Sequence, residues 1–360
     1  MALGGGGGET GKACVKILAV ESSCDESAVA VFDSAHGVEK SLIHSQIDLH
    51  ALYGGVVPDL ASSEHLKKLP ALMGALAQET DLAQIDLVAA TAGPGLPNCL
   101  AMGAACASAA AAALGKPLAG VNHLMGHAYS PFIPVHESAP ENFAEEFKKL
   151  LPHLGLAVSG GNTILLEIGE DGSIAKLAET EDDAAGEALD KGAKLLGIPY
   201  PGAPVIEKLA LRGKIDKRLF PYGQNRKIDE DPDFSFSGLK TSLRYYLERL
   251  GGENLEAAMP DICASYQFAV VEQLRRRADF FARRRQYASV AVSGGVSNNA
   301  YFAETFEAMA KARGAEFLAA PKQFRGDNAA MIAFAAYARP DCLRQARGGT
   351  LEIDPSWELA

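Results

Sequence analysis

At 360 residues the chain exceeds one ordinary domain and is short for three, so two lobes are expected. Hydrophobic residues make up 48% and charged residues 22%, the balance of a soluble globular protein with a sizeable core. A net charge of −11 argues against a general nucleic-acid coat or a surface that docks on anionic lipid, and leaves RNA binding to a local basic patch or a partner.

Met1–Lys12 is a glycine run with neither a basic n-region nor an apolar h-region, so residues 1–14 read as a flexible tail and not as a signal peptide. Val15–Val20 and Ala28–Phe32 are apolar runs around the polar stretch Glu21-Ser22-Ser23-Cys24-Asp25-Glu26-Ser27, which predicts strand, tight turn, strand. Helical patterns follow at Glu64–Gln78, which Pro70 should kink, and at Asn98–Leu114, entered through a sharp Gly93-Pro94-Gly95 turn. Leu100–Leu114 is the best membrane candidate, yet it is mostly alanine and shorter than a span requires. The proline-containing segment Pro131–Pro152, with its acidic Glu141–Leu150 insert, marks the expected lobe boundary.

The opening pattern then returns. Leu154–Val158 is apolar, Ser159-Gly160-Gly161-Asn162-Thr163 is the turn, and Ile164–Ile168 is apolar again, which suggests an internal duplication. Helices are expected at Asp182–Leu196, Pro204–Arg212, Gly238–Leu250 and Leu255–Gln286, the last bent or restarted by Pro260. Ser289–Val292 reads as a buried strand, followed by the turn Ser293-Gly294-Gly295-Val296-Ser297-Asn298-Asn299 and a helix from Tyr301 to Ala312. A glycine-rich strand-to-helix turn presents backbone N–H groups to anions such as phosphate, but no G-K-[ST] follows, so it is not a Walker loop. A last helix is expected at Asp327–Ala338, and the alternation of strands and helices argues α/β architecture. The six cysteines are scattered with no C-x-x-C pair, which fits neither a disulfide framework nor a zinc ribbon and points to a reducing, cytoplasmic compartment.

Four groups carry candidate chemistry. His123-Leu124-Met125-Gly126-His127 places two imidazoles at i and i+4, on one face if the segment is helical, where both rings can hold one metal ion. The alternative is two unrelated histidines; the zinc-protease motif H-E-x-x-H loses support because Leu124 stands where its general base belongs. Two imidazoles need a carboxylate, and Asp327 in Arg325-Gly326-Asp327-Asn328 is the candidate, with an ordinary helix N-cap as its other reading. That donor set leaves coordination positions open and suits iron or zinc better than magnesium. Glu187, Asp190 and Lys194 fall on one side of a helix, either a solvated charged face or a carboxylate that accepts bonds from ribose or threonine hydroxyls. Arg275-Arg276-Arg277 and Arg283-Arg284-Arg285 flank Phe280 and Phe281, either a phosphate-binding patch for tRNA or a solvated face beside core aromatics.

Val20–Ser27, Gly93-Pro94-Gly95-Leu96, His123-x-x-x-His127, Val158–Thr163, Asp182–Lys191, Tyr200-Pro201-Gly202, Asp233-Phe234-Ser235-Phe236-Ser237-Gly238-Leu239-Lys240, Ser293–Asn299 and Gly326-Asp327-Asn328 occur in one order. From about Lys16 to Ala338 this order resembles the tRNA threonylcarbamoyladenosine transferase (TsaD) family, once called glycoproteases. The resemblance implies a two-lobed actin-like, sugar-kinase-like (ASKHA) fold of two ribonuclease-H-like domains around a cleft. The expected division is 15–150, 151–326 and 327–360, the last a metal-ligand helix and C-terminal tail returning to the first lobe. It implies transfer of threonylcarbamoyl from threonylcarbamoyl-AMP to N6 of the adenosine 3′ to the anticodon, in tRNAs reading codons that start with A. His123, His127 and Asp327 would bind one divalent metal, iron ahead of zinc. Val158, Ser159, Gly160, Gly161, Asn162, Asp190, Gly202, Ala203, Glu207 and Asn299 would line the adenylate and acyl pocket. Asp25 and Glu26 would face the reacting centre as catalytic groups.

The His-Leu-Met-Gly-His segment is bacterial or organellar in style, which implies a degenerate paralogue subunit and a small P-loop ATPase as partners, and no membrane. Three positions depart from the family pattern: Asn162 where many bacterial members carry His, Ala203 for a Gly of the Y-P-G-G run, and Pro97-Asn98 for a glycine-containing step. The competing classes are a small-molecule kinase of the same fold, a metalloprotease, and a non-catalytic scaffold, which would have lost the metal ligands.

Overall fold

The computed structural model describes residues 14–222, 227–251 and 254–359. The expected glycine-rich tail lies outside them, apart from Cys14. Strands β1 (Lys16–Glu21), β2 (Glu26–Asp33) and β3 (Gly37–Ser45) form an antiparallel meander, with Val20 opposite Val29 and Val29 opposite Leu42. β1 is buried from Ile17 to Glu21, so it reads as a continuous apolar run and not as an alternation, as expected for a strand covered on both faces. After α1 (Ile47–Ala51) and α2 (Pro58–Glu79), β4 (Leu87–Gly93) adds parallel to β1. Helix α3 (Pro97–Leu114) returns the chain to β5 (Leu118–Asn122), which is parallel to β4. Helices α4 (His123–Tyr129), α5 (Ile133–Ser138) and α6 (Phe143–Lys149) lead out of this sheet.

The second sheet repeats the plan. β6 (His153–Val158), β7 (Thr163–Ile168) and β8 (Ile174–Glu179) are an antiparallel meander. Four helices follow: α7 (Ala185–Leu195), α8 (Ala203–Ala210), α9 (Ser237–Leu250) and α10 (Leu255–Arg284). β9 (Ser289–Ser293) then lies parallel to β6, and α11 (Ala300–Ala312) leads to β10 (Glu316–Ala319), parallel to β9. After α12 (Ala329–Ala338), the two-residue β11 (Arg344–Gln345) closes the far edge of the first sheet against β5. The strand orders are β11-β5-β4-β1-β2-β3 and β10-β9-β6-β7-β8. Without β11, order and direction match strand for strand, so the short likeness between the two turns marks a whole-sheet duplication.

The connecting helices α4 and α12 occupy equivalent places, each the first α-helix after the last strand of its repeat, and they pack on each other. α12 has apolar side chains on every face, which requires burial all round. It lies on β1 and β2 of the first sheet, while α4 reaches β6 of the second. One core cluster therefore holds Ala19 and Phe32 from the first sheet with Leu166 and Ala291 from the second. Gly126 permits the contact between the helices, since a Cβ there would stand 2.9 Å from Ile332 Cδ1 and 3.0 Å from Met331 Cγ.

Several expectations need correction. α10 runs through Pro260 as one helix and does not restart there, and α2 likewise continues through Pro70. α3 starts at Pro97, a favoured first helical residue, and its 18 residues make it long and apolar enough by those two criteria alone to cross a membrane. Here it packs against α2, β1 and β4. The Glu141–Leu150 insert has a packing role: Phe143 and Phe147 of α6 join Tyr129, Phe132, His136, Phe334 and Tyr337 in an aromatic cluster. Phe334 contacts Phe32, His136 and Phe143 edge-on at 5.5–5.7 Å and is fully buried. Phe334→Ala is expected to cost about 3–5 kcal/mol of stability in urea denaturation of the whole chain; a loss below about 1 kcal/mol would contradict this packing.

Candidate active site

Helix α4 begins at once where β5 ends, and Asn122 caps it by accepting from the Leu124 and Met125 N–H groups. His123 and His127 follow one turn apart, both buried, with ring centroids 4.8 Å apart. The loop before α12 supplies the third group. Asn328, and not Asp327, is the N-cap, its side-chain oxygen accepting from the Met331 N–H at 2.9 Å, so the capping alternative for Asp327 falls away. Asp327 Oδ1 lies 3.0 Å from His127 Nε2 and 3.7 Å from His123 Nε2. Donor atoms of all three lie within 4.8 Å of one another, close enough for small adjustments to bring them onto one first-row ion.

The surroundings suit a cation. Burial would raise the Asp327 carboxyl, but His123 and His127 outweigh it and hold Asp327 down at about 2. Burial would lower His123, but Asp327 and Glu21 outweigh it and raise the imidazole to about 9. Glu21, at the end of β1, is fully buried and stands 3.2 Å from His123 Nδ1. It also accepts from the Ser23 N–H and the Thr91 hydroxyl. Despite burial, His123 holds Glu21 below the usual carboxylate range. A carboxylate on the far ring nitrogen fixes a ligating histidine's tautomer and orientation. Sequence reasoning passed over Glu21 as a ligand support; the available signal was a carboxylate closing an otherwise apolar run.

The turn carrying Asp25 and Glu26 lies close enough to this centre for the Asp327 charge to act on Cys24 and Glu26. The Ser45 hydroxyl donates to Glu26 at 3.2 Å, and the Gln46 N–H donates to the Asp25 carbonyl at 3.0 Å. Burial, then Asp25 and Asp327, push Glu26 well above the usual carboxylate range. Burial and the same three carboxylates keep the Cys24 thiol protonated. Tyr200, quoted in a motif but not assigned to the site, has its phenol raised by burial and then by the charges of Asp25 and Asp190.

Those residues form a connected set. The β6–β7 turn is tied by Ser159, whose N–H donates to the Asn162 carbonyl and whose hydroxyl accepts from Gly161 and Asn162. Gly160 and Gly161 face open space. Gly186, at the start of α7, and Gly294, at φ +83°, press on the backbone beneath: a Cβ would come 2.5 Å from the Ser159 carbonyl and 2.3 Å from the Val158 carbonyl. Asp190 Oδ1 accepts from the Gly202 and Ala203 N–H groups, both at 2.8 Å, and neither bond lands on Oδ2. Glu207, on α8, accepts from the Ala300 N–H at 2.7 Å. Asn299 caps α11 through its oxygen and donates to Gln267.

Two expectations fare differently. Glu187, Asp190 and Lys194 do not act as one face: Glu187 pairs with Lys191 at 2.9 Å, Lys194 is exposed, and Asp190 turns to the α8 N-terminus. The arginines do not form one free basic patch. Arg277 is buried and donates to the Pro232 and Asp233 carbonyls. Arg275 pairs with Glu272, Arg283 with Asp279 and Arg285 with Glu167, while Arg276 and Arg284 lie over the Tyr222 and Phe280 rings. For the metal centre, Glu21→Gln is expected to weaken divalent-metal affinity about 10–100-fold in competition with a chromophoric chelator; unchanged affinity would refute the support from Glu21.

The model of the family "TsaD: tRNA N6-adenosine threonylcarbamoyltransferase" matches residues 37–334. A tRNA N6-adenosine threonylcarbamoyltransferase of Anaeromyxobacter dehalogenans is 42% identical over 352 residues, covering 96% of this chain and 99% of the relative. One from Dichelobacter nodosus is 40% identical, covering 96% and 97%. Among solved structures, HypF of T. kodakarensis shares the fold, with a TM-score of 0.58 at 18% identity over 91% of this chain and 48% of HypF. The matching sheets and this likeness establish the two-lobed actin-like architecture, and the family match does not favour the kinase and protease alternatives. The chain belongs to the tRNA N6-adenosine threonylcarbamoyltransferase family and is an acyltransferase that places a threonylcarbamoyl group on N6 of a tRNA adenosine.

Proposed function

We propose that transfer occurs where the Asp25–Glu26 turn, the His123–His127–Asp327 cluster and the second-sheet turns converge. The observation that supports this is the meeting of His123, His127 and Asp327 from two equivalent connections, near a carboxyl, Glu26, that burial and then Asp25 and Asp327 push well above the usual range. The donor, threonylcarbamoyl-AMP, is a mixed anhydride and already activated, so no ATP is split in this step. The acceptor amine is poor because its lone pair is delocalised into adenine, and the protein must position it, stabilise negative charge and remove a proton.

Val158 to Asn162, Gly202, Ala203, Glu207 and Asn299 line the adenylate and acyl pocket in this reading, and Asp190 Oδ2 accepts from a ribose or threonine hydroxyl. A divalent ion held by His123, His127 and Asp327 supplies Lewis-acid stabilisation of charge on the donor, and the two-imidazole, one-carboxylate set suits iron ahead of zinc. Adenine N6 bonds to the carbamoyl carbon, and the bond from that carbon to the phosphate oxygen breaks. AMP leaves, and the N6 proton passes to Asp25. Glu26 is the protonated partner of the pair and hydrogen-bonds to Asp25. The acceptor is the adenosine 3′ to the anticodon in tRNAs reading codons that start with A. A degenerate paralogue subunit and a small P-loop ATPase complete the working assembly, in the cytoplasm, and the lobes divide at 15–150 and 151–326, with 327–360 returning to the first.

The test is transfer from synthetic threonylcarbamoyl-AMP to unmodified tRNA with the partner proteins present, read by mass spectrometry of nucleosides. Product is expected, and a chelator or His123→Ala should abolish it; product that persists under both would remove the metal from the reaction. Asp25→Asn should lower kcat about 10²–10⁴-fold with donor KM little changed. Unchanged turnover would exclude Asp25 as the base.

A further inference from the structure

The turn Gly93-Pro94-Gly95 and the C-terminal residues have no part in the chemistry described, yet together they touch both halves of the site. After β11 the chain runs back along the first sheet: the Asp354 N–H donates to the Ala92 carbonyl at 2.7 Å, and the Gly95 N–H donates to the Pro355 carbonyl at 3.2 Å. Gly93, at φ +152°, is indispensable there, because a Cβ would stand 1.8 Å from the Asp354 carbonyl oxygen. On its other side the turn presses on the catalytic loop. Leu96 N–H donates to the Ser23 carbonyl at 2.8 Å, and a Cβ on Gly95 would lie 2.7 Å from that oxygen. The strap is itself pinned: Arg344 bonds Asp354 at 2.9 Å and lies 3.7 Å over the Trp357 ring, and Leu359 is buried in the shared core.

Its last turn meets Asn122. The Asn122 amide nitrogen donates to the Trp357 and Glu358 carbonyls, both at 3.1 Å, while its oxygen caps α4 through the Leu124 and Met125 N–H groups. The side chain is buried, and both ends of its amide are engaged. Asn122 therefore joins the C-terminal strap to the first turn of the helix that carries His123 and His127.

We propose that Asn122, clamped by the Trp357 and Glu358 carbonyls, is a positioning residue that sets the orientation of the metal-ligand helix α4. This rests on the metal reading above. Two variants separate clamp from cap. Asn122→Ser keeps a good N-cap but is too short to bond the strap, and a chain ending at Ile353 removes the strap and leaves Asn122 in place. Each is loaded with Co(II), and affinity is measured by chelator competition, with the visible d–d spectrum, the melting temperature and the kcat and donor KM of transfer. Affinity about 10–100-fold weaker, with an altered Co(II) spectrum and kcat lowered while donor KM holds, is the expected result. Should the truncated chain fail to fold, Asn122→Ser decides. A folded Asn122→Ser protein with native affinity and spectrum would overturn the proposal, even if its melting temperature fell, since that pattern means packing alone. His127→Ala is the reference: if it too binds Co(II) like the parent, the metal centre itself is refuted and this inference with it.

Discussion

The contact between α4 and α12 is the constraint on which the rest of the molecule depends. Each helix leaves the last strand of its own repeat and crosses to the other, so the two sheets share one core. The crossing needs close approach, which the absent side chain at Gly126 allows, between the two histidines and against Ile332 and Met331. Duplication extends to the caps: Asn122 starts α4 and Asn328 starts α12, each through its side-chain oxygen. Because the repeats are equivalent, the residues at the two helix starts face each other, and His123, His127 and Asp327 meet there.

Such a junction is electrostatically costly without compensation. Glu21 and Asp327 are held ionised against burial, and Asp25 and Glu26 stand near them. Unpaired charge in a buried site is strongly unfavourable, so the carboxylates require a cation. In the protein alone His123 fills that role, with its imidazole raised to about 9 by two carboxylates that overcome its burial. Burial, and then the charges of Asp25 and Asp327, push the Glu26 carboxyl the other way, well above the usual carboxylate range. The fold thus brings two imidazoles and an ionised carboxylate (His123, His127 and Asp327) together near a carboxyl shifted toward its neutral form (Glu26).

The second sheet contributes backbone more than charge. Its turns are brought together by glycines that let α7 and the β9 turn rest on the Val158 and Ser159 carbonyls, and by carboxylates bonded to N–H groups at the starts of α8 and α11. Those bonds fix the backbone of turns that line the proposed adenylate pocket, and preorganised dipoles stabilise developing charge without reorganisation. Asn299 shows the division of labour: its oxygen belongs to a helix cap and its nitrogen to Gln267, so its place is structural first.

Much of this was legible in the chain. The two strand–turn–strand patterns, the HxxxH spacing and the order of motifs follow from local periodicity and residue type, which are properties of short segments. What they could not carry was pairing across distance. Asp327 and His127 are 200 residues apart, and only the helix crossing decides that Asp327 faces imidazoles and leaves the cap to Asn328. Glu21 reads as the end of a strand until β1 is placed beside α4. Glu272, Asp279 and Phe280 lie three or four residues from Arg275, Arg283 and Arg284, a pairing that helical spacing already contains, whereas Glu167 and the Tyr222 ring reach Arg285 and Arg276 only in the folded protein. Sequence alone thus determined the elements and the chemical groups, and tertiary structure decided which of those groups meet, because burial and charge act through distances that chain order does not contain.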